Sequence, residues 1–360
     1  MKIIHVAETI KGGVASVMKQ LVIHQTMNND VEILIPDSQS TELDSLVNCS
    51  QYTFRRTGRN ISSFLSLFWN FTKLIIRSDP KIVHIHSSFA GVICRSVLIL
   101  LYPIRRPKVI YCPHAFAFLI PNSRSKKFIY IFIEKFLQCI TDKIICTSQY
   151  EQAQAIRVKL NRKKLCVIYN GINFSDVIAL SPYTSNKIHL LFVGRFDYQK
   201  GYDNLLHLIE MLDPDKFEFT IIGDTVHDKV EIISAKNVKY LGWVKFDKII
   251  PYFQYATVLI MPSRWESFGL VAVEAQSFGL PVIANNCSSL PEVIQNEVTG
   301  YLFNFDNELD NVVQILNNKT LSDWGSMKTD CIKFVTSRFS AQSMNKSVDI
   351  VYSNLMNKSK

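Results

Sequence analysis

Two glutamates stand eight positions apart in the stretch Arg264-Trp265-Glu266-Ser267-Phe268-Gly269-Leu270-Val271-Ala272-Val273-Glu274. A short glycine-containing loop separates them and leads into an apolar helix. Ahead of them runs Tyr255 to Pro262, an apolar segment of the kind that forms a buried parallel strand. A strand, a tight turn and a helix N-terminus present backbone N–H groups and the positive end of a helix dipole, which together suit an anion. Ser267, Phe268, Gly269 and Leu270 would line that site. Glu274, one to two turns into the helix, lies too far along to compete with a bound phosphate. It is placed to accept hydrogen bonds from the hydroxyls of a sugar attached to that phosphate. Glu266, ahead of the turn, points to whatever lies beyond the phosphate. The chemistry is recognition of a nucleotide diphosphate sugar. The plainer alternative is a strand–helix unit in which Glu274 caps a neighbouring loop and Glu266 is a solvated turn residue.

Gly194-Arg195-Phe196-Asp197-Tyr198-Gln199-Lys200-Gly201 follows another apolar run, Ile188 to Val193. Arg195 and Lys200 would flank a turn at the carboxyl edge of a sheet, where α/β proteins bind ligands. Arginine offers phosphate oxygens a bidentate fork and lysine a mobile point charge; basic loop residues also simply face solvent. Lys11-Gly12-Gly13-Val14 follows the first strand and opens a helix, so the backbone can approach a phosphate with no Cβ in the way; a plain strand–helix turn is an equal alternative. The dinucleotide fingerprint G-x-G-x-x-G is absent, which disfavours a nicotinamide enzyme. A metal-dependent alternative would need an Asp-x-Asp at a strand end. Asp213-Pro214-Asp215, the only candidate, sits in a helix-to-strand loop on the wrong edge. His114 follows Val109 to Pro113, again just past a strand; a lone histidine there is also a common structural group. His84 and His86 alternate along one strand and face the same side. Two histidines with no third ligand nearby make a poor metal site, so no metal and no other cofactor is expected.

The order and spacing of these segments resemble the retaining family-4 glycosyltransferases of the GT-B fold, over nearly the whole chain. The resemblance implies that Glu274 binds the nucleotide ribose and Glu266 contacts the donor sugar. It implies that Arg195 and Lys200, matching a G-R-x-x-x-x-K-G pattern, contact the diphosphate in place of a metal, with Gly13 abutting it. The family histidine that reaches the donor sugar falls on His114. It is commonly followed by glycine, and Ala115 departs from that. Asn170-Gly171 matches a motif beside the interdomain hinge: Gly171 is read as a turn with positive φ and Asn170 as a ligand contact. Gly223 ends a strand where the family has a glycine near the nucleotide. Trp243 lies where relatives carry a base-binding loop, and core packing is an equal alternative. Ser288-Ser289-Leu290-Pro291-Glu292 and Gly300 are read as structural. His86, near its strand end, would line the acceptor side of the cleft.

What must position these residues is an alternation of short apolar runs with helical periodicity. It starts with Ile3 to Val6, Val31 to Ile35, Ile82 to Ile85, Val109 to Cys112, Lys143 to Thr147 and Leu165 to Tyr169. It restarts with Ile188 to Val193, Phe217 to Ile222, Val238 to Leu241, Thr257 to Met261 and Pro281 to Ala284. Parallel β-α-β units follow. The polar stretch Ala179 to Asn186 is the linker candidate. The expected fold is α/β: two doubly wound domains, 1–180 and 187–340, facing across a cleft, with a helix about 341–358 crossing back to the first. A chain of 360 residues holds two such cores.

Residues 1–180 carry 23 Lys and Arg against 11 Asp and Glu, a balance of +12 within a total of +9. Nucleic acid is disfavoured, because no zinc finger, helix-turn-helix or ribonucleoprotein pattern accompanies the charge. Two bands set cations beside aromatics: Arg55, Arg56 and Arg59 before Phe64 to Trp69, and Arg124, Lys126 and Lys127 before Phe128 to Phe132. Such bands suit anionic lipid headgroups; the alternative is helices with their aromatics packed inside. The eight cysteines form no C-x-x-C pair and read as reduced core residues. The start is too short for a signal-peptide core, and the longest apolar stretch, Ser96 to Ile104, is too short to span a bilayer. The expectation is a cytoplasmic protein peripheral on the inner face of the plasma membrane. It would move a hexose from a nucleotide sugar donor to a lipid-linked saccharide in surface polysaccharide (O-antigen or capsule) assembly. The alternatives are a GT-B sugar-nucleotide epimerase or hydrolase, and a non-catalytic nucleotide-sugar-binding protein.

Overall fold

The runs rich in Val and Ile leave no alternation of polar and apolar residues, as strands covered by helices on both faces require. In the computed structural model, which describes residues 1–43, 46, 48–225, 232 and 234–357, they build two sheets whose strand pairings are parallel throughout. The first holds β1 (Lys2–Ala7), β2 (Asp30–Pro36), β3 (Ser50–Phe54), β4 (Ile82–His86), β5 (Lys108–Cys112), β6 (Lys143–Cys146) and β7 (Leu165–Val167) in the order β3-β2-β1-β4-β5-β6-β7. The second holds β8 (Ile188–Val193), β9 (Phe217–Ile222), β10 (Val238–Gly242), β11 (Val258–Met261), β12 (Val282–Asn285) and β13 (Gly300–Phe303) in the order β10-β9-β8-β11-β12-β13. Each order reverses once, between β1 and β4 in the first sheet and between β8 and β11 in the second. Those are the points outside which α/β sheets bind ligands.

The first unit spans Met1–Ile172 together with the last helix, and the second Asn173–Ser340. The first carries helices α1 (Gly13–Gln25), α2 (Ile61–Ser78), α3 (Ser88–Leu100), α4 (Arg124–Leu137) and α5 (Gln149–Arg157). The second carries α6 (Tyr202–Met211), α7 (Phe246–Tyr255), α8 (Leu270–Ser277), α9 (Leu290–Val293), α10 (Leu309–Asn318), α11 (Leu321–Ser326) and α12 (Lys328–Arg338). Helix α13 (Ala341–Asn357) returns to the first unit; residue 358 lies outside the described residues. On one face of the first sheet Ile4, Val6, Val83 and Ile85 meet Leu67 and Phe71 of α2, all buried. Truncating such a side chain costs about 2–5 kcal/mol. The opposite face receives α1 through Met18 and Val22. Helix α13 buries Met344, Val348 and Tyr352, and Asp349 takes the His24 ring at 2.7 Å from α1.

Three features differ from the sequence-based picture. Two strands were not expected: β3 at one edge of the first sheet and β13 at one edge of the second, places where polar or short segments suffice. The division falls at 172/173, ahead of the polar stretch 179–186. Residues of that stretch pack on the second unit: the Ala179 N–H donates to Gln254 at 2.9 Å, and Tyr183 stacks on His189 with centroids 3.9 Å apart. Gly171 is not among the glycines with a left-handed backbone. Its N–H instead donates to the Met344 sulfur at 3.2 Å, and the next carbonyl, of Ile172, accepts the Ala341 N–H at 2.9 Å. It is the return of α13, not a tight turn, that uses this position.

Candidate active site

In the second unit, two loops leave the carboxyl ends of the central strands β8 and β11 and are bonded to each other. Lys200 Nζ donates to Glu266 Oε1 at 2.6 Å. The Lys200 N–H donates to Asp197 Oδ1 at 2.9 Å. Arg195 Nη2 donates to Gln199 Oε1 at 2.6 Å and lies 3.2 Å from Asp197 Oδ2. Gln199 donates in turn to the Trp265 carbonyl at 3.2 Å. Gly201 lets the loops approach this closely: with φ of 65°, any Cβ there would stand 2.0 Å from the Pro262 carbonyl oxygen. Arg264 locks the outer edge. Its two Nη atoms meet Asp203 at 2.7 Å each, and its guanidinium lies over the Tyr198 ring at 4.0 Å.

Helix α8 begins beyond Gly269, whose φ is 95°, so Leu270 starts the helix. The Phe268 side chain is buried against Phe339 in an edge-on contact at 5.4 Å. It is therefore spent on the core, and only its backbone can serve a ligand. Ser288 accepts the Glu266 N–H at 2.8 Å, and Ser289 donates to the Glu266 carbonyl at 3.1 Å. Both serines, read from sequence as structural, hold Glu266 in place. Glu274 is half-buried on α8, and desolvation with no compensating donor pushes its carboxyl up to about 8. A ligand hydroxyl would supply that donor.

Gly223 has φ of 140°, and a Cβ there would stand 1.7 Å from the Gly194 carbonyl oxygen. Close packing of β9 against the Arg195 loop thus already demands glycine, whatever it does toward a ligand. Trp243 is 56% exposed, so core packing does not account for it. Asp213 and Asp215 lie between α6 and β9, at the amino edge of the sheet, away from Arg195 and Lys200.

In the first unit, the exposed Gly12-Gly13 pair opens α1 after β1. Parallel register sets His5 opposite His84 and His86 opposite Cys112. His84 and His86 stack at 4.3 Å. His5 Nδ1 and His86 Nε2 are 3.0 Å apart, as are His86 Nδ1 and His114 Nε2. The far side of His5 faces Gln25 Oε1 at 2.7 Å. A cavity of about 20 Å³ is lined by His84, His86, His114, Asn170, Cys112 and Met344, among others. His5 corrects the premise that His84 and His86 lack a third nitrogen, since ligand atoms of all three lie within 4.8 Å of one another. Sequence missed it because only the register of β1 on β4 brings it there. Both nitrogens of His5 and of His86 are engaged in these hydrogen bonds, however, which leaves only His84 Nε2 without a partner.

The loop after β5 is strained. His114 has φ of 51° and Ala115 of 137°, the latter a backbone that glycine adopts and alanine rarely does. Burial pushes the Glu151 carboxyl up to about 7, offset by N–H donors from Thr147, Phe116 and Ala115. Of the two basic bands, the first is partly consumed: Arg56 donates twice to the buried Glu8, at 2.9 and 2.7 Å, so it is no free surface cation. The second stays open. Phe128, Ile129, Phe132 and Phe136 of α4 are each more than half exposed, beside exposed Arg124, Lys126 and Lys127. Among the described residues no helix is long and apolar enough to cross a membrane.

Comparison with known proteins agrees with this architecture. The family described as glycosyl transferases group 1 matches residues 181–332, and Glycosyltransferase Family 4 matches residues 11–176. An uncharacterized 41.2 kDa protein in the cps region of Klebsiella pneumoniae is 44% identical over 98% of this chain and 99% of its own. An uncharacterized glycosyltransferase of Methanocaldococcus jannaschii is 30% identical over 72% of each chain. The UDP-Gal:alpha-D-GlcNAc-diphosphoundecaprenol alpha-1,3-galactosyltransferase of Escherichia coli is 28% identical over 73% of this chain and 72% of its own. In fold, the chain is similar to Anabaena HepE in complex with UDP and glucose, with a TM-score of 0.79 at 16% identity over 98% of this chain and 99% of that one. With two doubly wound units, the loops of each in family order and relatives of this kind along its length, the chain belongs to the family-4 glycosyltransferases of the GT-B fold.

Proposed function

We propose that this glycosyltransferase moves a hexose, with retention of anomeric configuration and without a metal, from a nucleotide diphosphate sugar to a sugar hydroxyl. The observation that carries the reading is the cluster of Arg195, Lys200 and Glu266 at the order reversal of the second sheet, ahead of the α8 N-terminus. Two cations and a helix dipole are what a departing diphosphate needs, since they balance the charge that grows as it leaves. Glu274 would take the ribose hydroxyls, Glu266 the donor sugar and His114 a sugar hydroxyl. Ser267 and Gly269 would line the turn with the Phe268 backbone and Leu270. Gly13, Asn170 and Gly223 would complete the contacts; His86, expected from sequence to line the acceptor side, is buried with both ring nitrogens hydrogen-bonded and would support His114 instead.

Retention then follows from attack on the face the diphosphate leaves. The bond from C1 to the phosphate oxygen breaks as the bond from C1 to the acceptor oxygen forms, and the acceptor proton passes to the departing phosphate. No protein nucleophile is required, and Glu266 orients the sugar.

The acceptor would be a lipid-linked oligosaccharide in O-antigen or capsule assembly. Its support is the similarity to a cps-region protein and to a galactosyltransferase whose named acceptor is a diphosphoundecaprenol-linked sugar. The exposed aromatic and basic face of α4 suits a peripheral position on an anionic membrane surface, here the inner face of the plasma membrane.

The test is a panel of UDP, GDP, ADP and TDP sugars screened by thermal shift, followed by turnover of the stabilising donor with a lipid-linked saccharide in excess EDTA. The reading expects one donor to raise the melting temperature by mass action, and a product whose new linkage keeps the donor's anomeric configuration by NMR. An inverted product, or donor consumption equally fast without acceptor, would overturn it.

A further inference from the structure

Three imidazoles and a carboxamide in the first unit form a continuous line. Gln25 of α1 sits 2.7 Å from His5 Nε2, His5 Nδ1 sits 3.0 Å from His86 Nε2, and His86 Nδ1 sits 3.0 Å from His114 Nε2. Gln25, His5 and His86 are each at most 1% exposed. Burial lowers the basicity of every ring: His5 and His114 fall to about 4, and His86 falls well below its ordinary value. Each ring is thus neutral at physiological pH and carries one proton, so it offers one donor and one acceptor.

The line then has a direction. The Gln25 carboxamide oxygen only accepts, so the proton of His5 is on Nε2 and its Nδ1 accepts. His86 must therefore donate from Nε2 and accept at Nδ1. His114 must donate from Nε2, and its Nδ1 keeps a bare lone pair. We propose that Gln25, His5 and His86 are positioning residues that fix His114 in the Nε2–H tautomer, with Nδ1 presented as the acceptor for a ligand hydroxyl. A chain of this kind polarises along its length and is more than a set of pairwise contacts. It also gives a role to the strained backbone at His114 and Ala115, which holds the last ring within reach of His86. The consequence for sugar transfer rests on the proposed role of His114 at the donor sugar; the tautomer does not.

The alternative use of these nitrogens, a metal held by His5, His84 and His86, would have to displace at least the hydrogen bond that His5 and His86 share, which cuts the line at its middle. His84 stands aside from the line, with Nδ1 on the Tyr352 hydroxyl at 2.7 Å.

The experiment is two-bond ¹H–¹⁵N correlation NMR of histidine-labelled protein at neutral pH, which reports the protonated nitrogen of each ring. In the parent, His5, His86 and His114 should all show the Nε2–H pattern, unchanged down to about pH 5. In Gln25→Met, which removes the directing oxygen three links from His114, the His114 signal should move to a mixture of tautomers. In His86→Asn, whose side-chain oxygen can replace Nδ1, His114 should keep the Nε2–H pattern. A parent His114 protonated on Nδ1, a folded Gln25→Met with the parent pattern, or stoichiometric zinc on the histidines of the purified protein would each overturn the proposal. Transfer rates report separately. A Gln25→Met protein with a mixed His114 tautomer but the parent kcat would leave the relay standing and remove His114 from the sugar site.

Discussion

Lys200 Nζ and Glu266 Oε1 lie 2.6 Å apart, each from a loop that follows one of two neighbouring central strands. The pair is poised but occupied: a bound diphosphate would have to share Lys200 with Glu266. Both side chains are shielded, 17% and 9% exposed, so removing one partner leaves the other poorly solvated. A double-mutant cycle with Lys200→Met and Glu266→Gln should therefore be non-additive in stability. The double variant should lose less than the sum of the singles, with a coupling of about 0.5–3 kcal/mol by denaturant unfolding. Additive losses would show that the two side chains are independent.

Glu274 gives the second unit a pH dependence of defined sign. Its folded-state value of about 8 stands above the ordinary carboxyl value of 4.5, so between those values the native state holds a proton that the unfolded chain has released. The stability it contributes is whole below about pH 4.5 and is lost as pH rises through about 8. Melting temperatures of the parent and Glu274→Gln should diverge as pH rises, the variant becoming relatively more stable toward pH 9. Parallel curves across that range would contradict the assigned environment.

Ala115 holds a backbone that costs about 1–3 kcal/mol for a residue with a Cβ. Ala115→Gly should raise stability by about 1 kcal/mol after the extra unfolded-state freedom of glycine is offset, and should leave the His114 ring bonded to His86. A loss of stability on equilibrium unfolding would mean that the loop is relaxed as it stands.

Helix α4 should carry any attachment to anionic membranes. Attraction of this kind is worth on the order of 1 kcal/mol per basic residue and fades with salt. Vesicles containing anionic lipid should co-sediment the protein at low salt and release it at high salt. Neutralising Arg124, Lys126 and Lys127 should weaken that binding more than neutralising Arg56, which Glu8 already holds. Equal binding to neutral and anionic vesicles would argue against an electrostatic attachment.

The strands were legible because a β-branched apolar run bounded by turns has few other uses; the loops of the second unit could be placed after strand ends by the same pattern, while the roles of their cations and carboxylates came only from the family resemblance. The edge strand Ser50-Gln51-Tyr52-Thr53-Phe54 was not legible, since one neighbour suffices for it and its composition is half polar. The histidine line was hidden for a different reason. His5 reads as one more strand residue, and only the register of β1 on β4, an interaction between distant segments, turns it toward His86. Likewise Ser288 and Ser289 reach Glu266 through tertiary packing that no local spacing announces, and Gly171 looked like a turn until the return of α13 explained it.

Central to the account is that cations of this chain, rather than a metal, stabilise the leaving diphosphate. The most direct measurement is the steady-state rate of donor turnover for the parent, Arg195→Ala and Lys200→Ala at saturating nucleotide sugar in excess EDTA. The parent should keep its full rate, and each variant should fall by at least about tenfold in kcat. A parent that loses its activity in EDTA and regains it with Mn²⁺ or Mg²⁺, or variants within about threefold of the parent, would contradict the account.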